Sequence, residues 1–307
     1  MLVSRRCCGY YSRVNRFTHF AVAAAVLLAG NWATAAPTMT SDFQHYVLDY
    51  STPVDTALQK QLEQIDANLR GKYGMTTNQT AVGLLDLRNL RLAMLRPDHE
   101  EYAASVPKVG ILLAWFQLNP SSATNLDATT RHELGLMIKV SSNEMAAKYS
   151  RLLGLKQIQE VLASYQFYDT NHGGGIWLGK HYGQDHERIG SPVADNSHAA
   201  TVRQLLRFYL LLEQHKLVSP AASETMLQIF RSPDIQHENN KFVEGLEGRE
   251  VEILRKSGTW EDWLHDTAII SGPGRHYVLV ALTRHPRGDD YLVDLAREVD
   301  GVMGKDF

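Results

Sequence analysis

Between Val54 and Gly74 the apolar positions Val54, Leu58, Leu62, Ile65 and Leu69 fall three or four residues apart, which predicts one amphipathic helix ended by Gly71 and Gly74. TAVGLLDL and RLAMLRP, on either side of Arg88 and Asn89, read as a short hairpin. The middle of the chain has helical period. Its segments are SVPKVGILLAWFQL, TTRHELGLMIKV, NEMAAKYSRLLG, LKQIQEVLASYQ, HAATVRQLLRFYLLLEQHKL and SPAASETMLQIFRS. In the first of these, Val109, Leu112, Leu113 and Phe116 mark the face expected to be buried. Residues 169–196, rich in Gly, His and Asp, carry no period and read as loop. After Glu244, VEILRKSGTW, WLHDTAIIS and HYVLVALTR read as three strands joined by short turns, and LVDLAREVDGVM closes the chain as a helix.

Strands at both ends and helices between them predict an α+β fold. An antiparallel sheet completed by both ends of the domain would be flanked by the first and last helices, with an all-α lobe inserted. The expected division is a sheet lobe of residues 36–104 plus 246–307 and a helical lobe of 105–245.

The first 35 residues are a different material. Arg5, Arg6, Arg13 and Arg16 precede the apolar run FAVAAAVLLAG, and small residues follow at Ala33 and Ala35. That order predicts a secretory signal cut after Ala35 and a periplasmic or secreted product, with an uncleaved N-terminal anchor as the alternative. The apolar run is short for a bilayer span, so no stable anchor is expected after cleavage. Both cysteines, Cys7 and Cys8, fall in this segment, so the remainder would be held by its core without disulfides. A formal net charge of −3 gives no basic field for nucleic acid. Thirteen histidines are many, but no His-Glu-x-x-His or cysteine cluster organises them, so no metal or other cofactor is expected. A monomer acting on a small-molecule substrate is the simplest expectation.

Three short motifs carry candidate chemistry. Pro107 is tolerable only in the first turn of its helix, which places Ser105 at the helix N-terminus with Lys108 one turn on. A buried lysine of depressed pKa can take a serine proton; a helix-capping serine beside a solvated lysine is the plainer alternative. Ser141-Ser142-Asn143 lies between two helical segments. Ser141 could relay a proton and Asn143 could bind a substrate amide, or Ser142 or Asn143 could simply cap the next helix. Lys256-Ser257-Gly258-Thr259 lies on a strand. There Lys256 could attract a carboxylate, Gly258 could admit a ligand close to the backbone, and the Thr259 N–H could join that of Ser105 as an oxyanion hole. A strand end with a glycine bulge is the alternative.

Together, in this order and spacing, Ser105-x-x-Lys108, Ser141-Ser142-Asn143 and Lys256-Ser257-Gly258-Thr259 resemble the three motifs of class A β-lactamases and penicillin-binding proteins. The resemblance runs from about Val54 to the C-terminus. It implies that Ser105 is acylated, Lys108 is its base or relay, and Ser141 is the second hydroxyl. It makes Asn143 the substrate contact, Lys256 the cationic support, and Ser257 and Thr259 carboxylate and oxyanion contacts. Hydrolysis of a β-lactam amide is the first expectation. A penicillin-binding D-alanyl-D-alanine peptidase, or another cell-wall amidase or esterase that releases β-lactams slowly, is the second. A non-catalytic binding module is the third.

The sequence departs from that family in two places. Ser142 stands where aspartate is usual. The Glu-x-x-Leu-Asn pattern that positions the deacylating water is absent from the loop. Asp169, Asp185, Glu187 and Asp195 are the acids there, with Glu187 the favoured substitute and a solvated charge the ordinary alternative. His265 is the nearest basic residue after the strand motif and would bind a carboxylate only when protonated. Trp260 is expected in a wall of the site, with packing on the sheet the alternative for it and for Trp263. His172-Gly173-Gly174-Gly175 matches an oxyanion loop of lipases, but no Gly-x-Ser-x-Gly nucleophile accompanies it, so the glycines read as a flexible loop.

Overall fold

The structure is a computed structural model that describes residues 42–184 and 186–304. The expected leader and its cleavage site lie outside the described residues, as does Asp185. The helices are α1 (Thr56–Tyr73), α2 (Lys108–Leu118), α3 (Ala128–Lys139), α4 (Asn143–Leu153), α5 (Leu155–Ser164), α6 (Val202–Glu213), α7 (Pro220–Arg231), α8 (Lys241–Gly245) and α9 (Gly288–Met303). The strands are β1 (Thr80–Asp86), β2 (Arg91–Leu95), β3 (Glu101–Tyr102), β4 (Tyr168–Asp169), β5 (Gly174–Gly175), β6 (Trp177–Leu178), β7 (His198–Ala200), β8 (Glu252–Trp260), β9 (Trp263–Gly272) and β10 (Arg275–Arg284).

The main sheet is five-stranded and antiparallel, in the order β2-β1-β10-β9-β8. Its last strand, β8, is therefore an edge. Side chains of β10 divide by strand period between two cores. Tyr277, Leu279 and Ala281 pack with Leu58 and Leu62 of α1 and Leu292 and Leu295 of α9. Val278, Val280 and Leu282 join the larger core built on α2, α6 and α7. The sheet thus separates the two terminal helices from the helical insert, as the sequence predicts. Gly83 lets α6 lie close on β1, for a Cβ there would stand 2.4 Å from Val202 and 2.7 Å from Leu206.

Several expectations shift in detail. α1 starts after Asp55, whose carboxylate caps Leu58 N–H, so Val54 is outside it and exposed. Gly71 lies inside the helix, and Gly74, at φ +70°, ends it. α2 is not one-faced: Ile111 and Ala114 are as buried as Val109 and Leu112, which makes it the central helix of the insert. His198–Ala200 form β7 ahead of α6, and the aperiodic loop supplies β6 as well. With β3 they make a three-stranded sheet beside the Ser105 turn. The pairing is too short to leave a period in the sequence. Among the described residues no helix is long and apolar enough to cross a membrane.

Candidate active site

Ser105 sits in the tight turn that leads into α2. Val106 N–H donates to Ala103 O at 2.9 Å, Lys108 N–H to Ser105 O at 3.3 Å, and Gly110 N–H to Pro107 O at 2.8 Å. These i to i+3 bonds are of 3-10 type, in which side chains three apart eclipse. The local geometry therefore sets Lys108 Nζ 3.0 Å from Ser105 Oγ. Ala104, just before the serine, has φ +47°, a conformation a β-carbon makes costly by about 1 kcal/mol or more. Its carbonyl accepts from Tyr182 OH at 3.0 Å, which braces the turn.

Lys108 is fully buried. Its Nζ contacts Ser141 O at 2.6 Å, Asn143 Oδ1 at 2.7 Å, Ser105 Oγ at 3.0 Å and Ser141 Oγ at 3.2 Å. Desolvation pushes its pKa down to about 7. No ion pair to it exists among the described residues to oppose that shift, and one side is closed by the Tyr182 ring at 4.3 Å. In the neutral amine, two N–H groups suffice for the two shortest contacts, to oxygens that can only accept. The lone pair is then left for the hydroxyl proton of Ser105.

Ser141 lies between two lysines. Lys256 Nζ donates to its Oγ at 2.8 Å, opposite the contact with Lys108. Ser141 has φ +58°, and this left-handed turn delivers both its carbonyl and its hydroxyl to the cluster. Ser142 caps α4 by accepting from Met145 N–H at 3.2 Å, which leaves Ser141 and Asn143 for the site. Lys256 is held well below its usual pKa, chiefly by burial and then by the charges of Lys108 and Arg255. Arg255 in turn is locked to Asp266 through Nε at 2.7 and 2.8 Å, with both side chains buried.

A cleft of about 390 Å³ opens above this cluster, lined by Ser105, Asn143, Thr259, Trp260, Tyr182 and His181 among others. Trp260 is 57% exposed and forms part of its wall. Trp263 packs edge-on against Tyr102 with Arg284 over its face. Ser257 is half-buried and is not among the lining residues. Gly258 serves the protein rather than a ligand, for a Cβ there would stand 2.7 Å from Ala103 O. Its bareness lets β8 close on the turn that carries Ser105. His265 does not reach the cleft either. It is fully buried, Nδ1 accepts from Thr283 N–H at 3.1 Å, and Nε2 meets Tyr102 O at 2.8 Å. Burial pushes its pKa down to about 3, so it cannot offer a cation to a carboxylate.

None of the described loop acids lines the cleft. Asp169 pairs with His172 at 2.7 Å and Asp195 with Arg188 at 3.0 Å. Glu187, 59% exposed at its side chain, comes within 3.5 Å of His181 Nε2, and His181 does line the cleft. The other nitrogen of His181 meets the buried Ser150 Oγ at 2.8 Å. Sequence reasoning missed His181 and Tyr182; the only signal was their place in the His-rich loop GKHYGQDH. His172 and its glycines form part of that loop's fold, with Gly174 pressed against Glu100 and Gly173 against Asp98. No group of three or more metal-ligating side chains is assembled among the described residues.

Comparison with known proteins bears on the family and the fold, and the family match begins after Ser105 and Lys108. The sequence model of the β-lactamase enzyme family matches residues 118–300. No curated protein matches by sequence. Among solved structures, a β-lactamase from Sphaerobacter thermophilus superposes with TM-score 0.64 at 15% identity, covering 80% of this chain and 97% of its own. The protein PBP-A superposes with TM-score 0.63 at 18% identity over 83% of this chain and all of its own, and a variant of it has been solved as an acyl-enzyme with penicillin G. A β-lactamase from Chitinophaga pinensis gives 0.61 at 13% identity, covering 80% of this chain and 100% of its own. These likenesses establish the fold.

Proposed function

The chain belongs to the β-lactamase enzyme family, and from that premise we propose that it is a serine acyl-hydrolase that forms an acyl-enzyme on Ser105, with a β-lactam amide as its substrate class. Neutral Lys108 takes the Ser105 proton as Oγ attacks the carbonyl carbon. Backbone N–H groups of Ser105 and Thr259 hold the developing oxyanion. Lys256 donates to Ser141 Oγ, so the Ser141 proton is free to pass to the leaving nitrogen, and Ser141 recovers one from Lys108. Water then releases the acyl group.

The observation that carries this reading is the buried Lys108 amine 3.0 Å from Ser105 Oγ, with its remaining short contacts to acceptors. Turnover of a chromogenic cephalosporin tests it. Wild type should hydrolyse the compound and Ser105→Ala should not; equal rates would remove Ser105 from the mechanism. One observation favours a second reading, the slow-releasing penicillin-binding peptidase: no described loop acid lines the cleft where a water must be activated. Under that reading the cephalosporin gives a single stoichiometric burst. The order of basic, apolar and small residues in 1–35 supports export.

A further inference from the structure

Lys241 opens α8 and is 1% exposed. Its backbone φ of +51° is uncommon for a residue with a β-carbon, and this bend directs the side chain beneath β8. Nζ donates to Gly258 O at 2.9 Å, to Thr259 Oγ1 at 2.6 Å and to His265 O at 3.3 Å. Two of these partners are carbonyls, which only accept, and the third is a hydroxyl, so an ammonium can place all three of its N–H bonds here. Asp289 Oδ1, 3.6 Å away, faces the same charge. Burial draws the pKa of Lys241 down, Asp266 and Asp289 oppose that shift in part, and Arg255 adds to it.

Lys241 is not among the residues that line the Ser105 cleft, yet it holds the back of that cleft's working peptide. Gly258 O and Thr259 N–H are the two ends of one planar trans peptide and point in opposite directions. A cation seated on the oxygen end draws electron density toward oxygen and leaves the N–H hydrogen more positive. In a buried, low-dielectric setting such polarisation is transmitted with little screening.

We propose that Lys241 is a positioning residue for the oxyanion hole: its ammonium fixes the Gly258–Thr259 peptide and strengthens the Thr259 N–H as a donor to the tetrahedral intermediate. This rests on the reading that Ser105 is acylated with its carbonyl oxygen on that N–H. Removing one oxyanion donor costs a reaction about 10² to 10³-fold, so weakening one should cost on the order of tenfold.

The test uses the full-length protein, penicillin G labelled with carbon-13 at its β-lactam carbonyl, and variants Lys241→Met, Lys241→Gln and Lys241→Arg. Quenched-flow mass spectrometry gives the acylation rate at Ser105, and difference infrared spectroscopy gives the ester carbonyl band of the acyl-enzyme. The expected result is acylation about tenfold slower in Lys241→Met, with the ester band moved to higher wavenumber and both partly restored in Lys241→Arg. If the Met variant does not fold, the Gln variant, which keeps a donor but no charge, carries the same comparison. A wild-type band in a folded uncharged variant overturns the proposal, whether or not the rate falls, because a structural prop alone would not touch the ester. A wild type that takes no adduct at Ser105 would instead defeat the acyl-enzyme reading itself.

Discussion

A lysine in water is a poor base at neutral pH because it is already protonated, with a pKa near 10.4. Burial removes that obstacle at Lys108 by bringing its pKa down to about 7. The neutral form then grows as pH rises through about 7, so the acylation rate should climb over that range and level off above it. A rate independent of pH between 5 and 9 would contradict the assignment. Lys108→Met should slow acylation by about 10² to 10⁴-fold, the usual contribution of a positioned base, while Ser105 remains in place. At this scale the sequence was most informative. Ser105 and Lys108 lie three apart on one turn, so their contact is a local property that spacing reveals. Lys241 and Tyr182 are silent in the sequence, since the contacts that give them meaning span 17 residues or more, from Lys241 to Gly258, and 78, from Tyr182 to Ala104.

Elements deliver these side chains, and β8 does so from a sheet edge held on two sides. Arg255 and Asp266 tie β8 to β9, and the approach to α8 joins them through Asn240 Oδ1 at 2.6 Å and Phe242 N–H at 3.1 Å. Asp266→Asn would leave a buried guanidinium without its counter-charge, and we expect a loss of about 3–5 kcal/mol in denaturant unfolding. A change below 1 kcal/mol would show that the pair is dispensable. Gly258→Ala acts on the other side of the strand, against Ala103 O. It should displace the Thr259 N–H and cut acylation on the order of 10²-fold, with unchanged secondary structure by circular dichroism. Most long elements were legible because amphipathic helices sort their residues by face, while α2 and the central strands, buried all round, read as apolar runs told apart by length. The short β3-β7-β6 sheet and α8 were not, since strands of two or three residues defined by tertiary pairing, and a helix of five, are too short to show a period.

At the scale of the molecule, one sheet separates two cores, and the cluster of Ser105, Lys108, Ser141 and Lys256 forms where the helical insert meets the edge strand. Three segments distant in sequence (the turn before α2, the turn before α4, and β8) converge there, with residues of the 169–196 loop and the start of β7 closing one side. The order of strands and helices was enough to anticipate this layout. The loop's contribution was not, because glycine-rich chain takes its path from what it packs on. If the leader is removed as its residue pattern predicts, the exported protein will begin at Ala36, which N-terminal sequencing can check; a product retaining Met1 would contradict it. The most direct test of the whole account is an intact-mass time course of the protein mixed with penicillin G, with the adduct mapped by peptide digestion. The account predicts one added penicillin on Ser105, formed in wild type and lost from Ser105→Ala, and short-lived as the penicillin is consumed. A persistent adduct on Ser105 would keep the nucleophile and transfer the function to the slow-releasing peptidase reading. Consumption of penicillin in Ser105→Ala, or an adduct on another residue, would contradict the account.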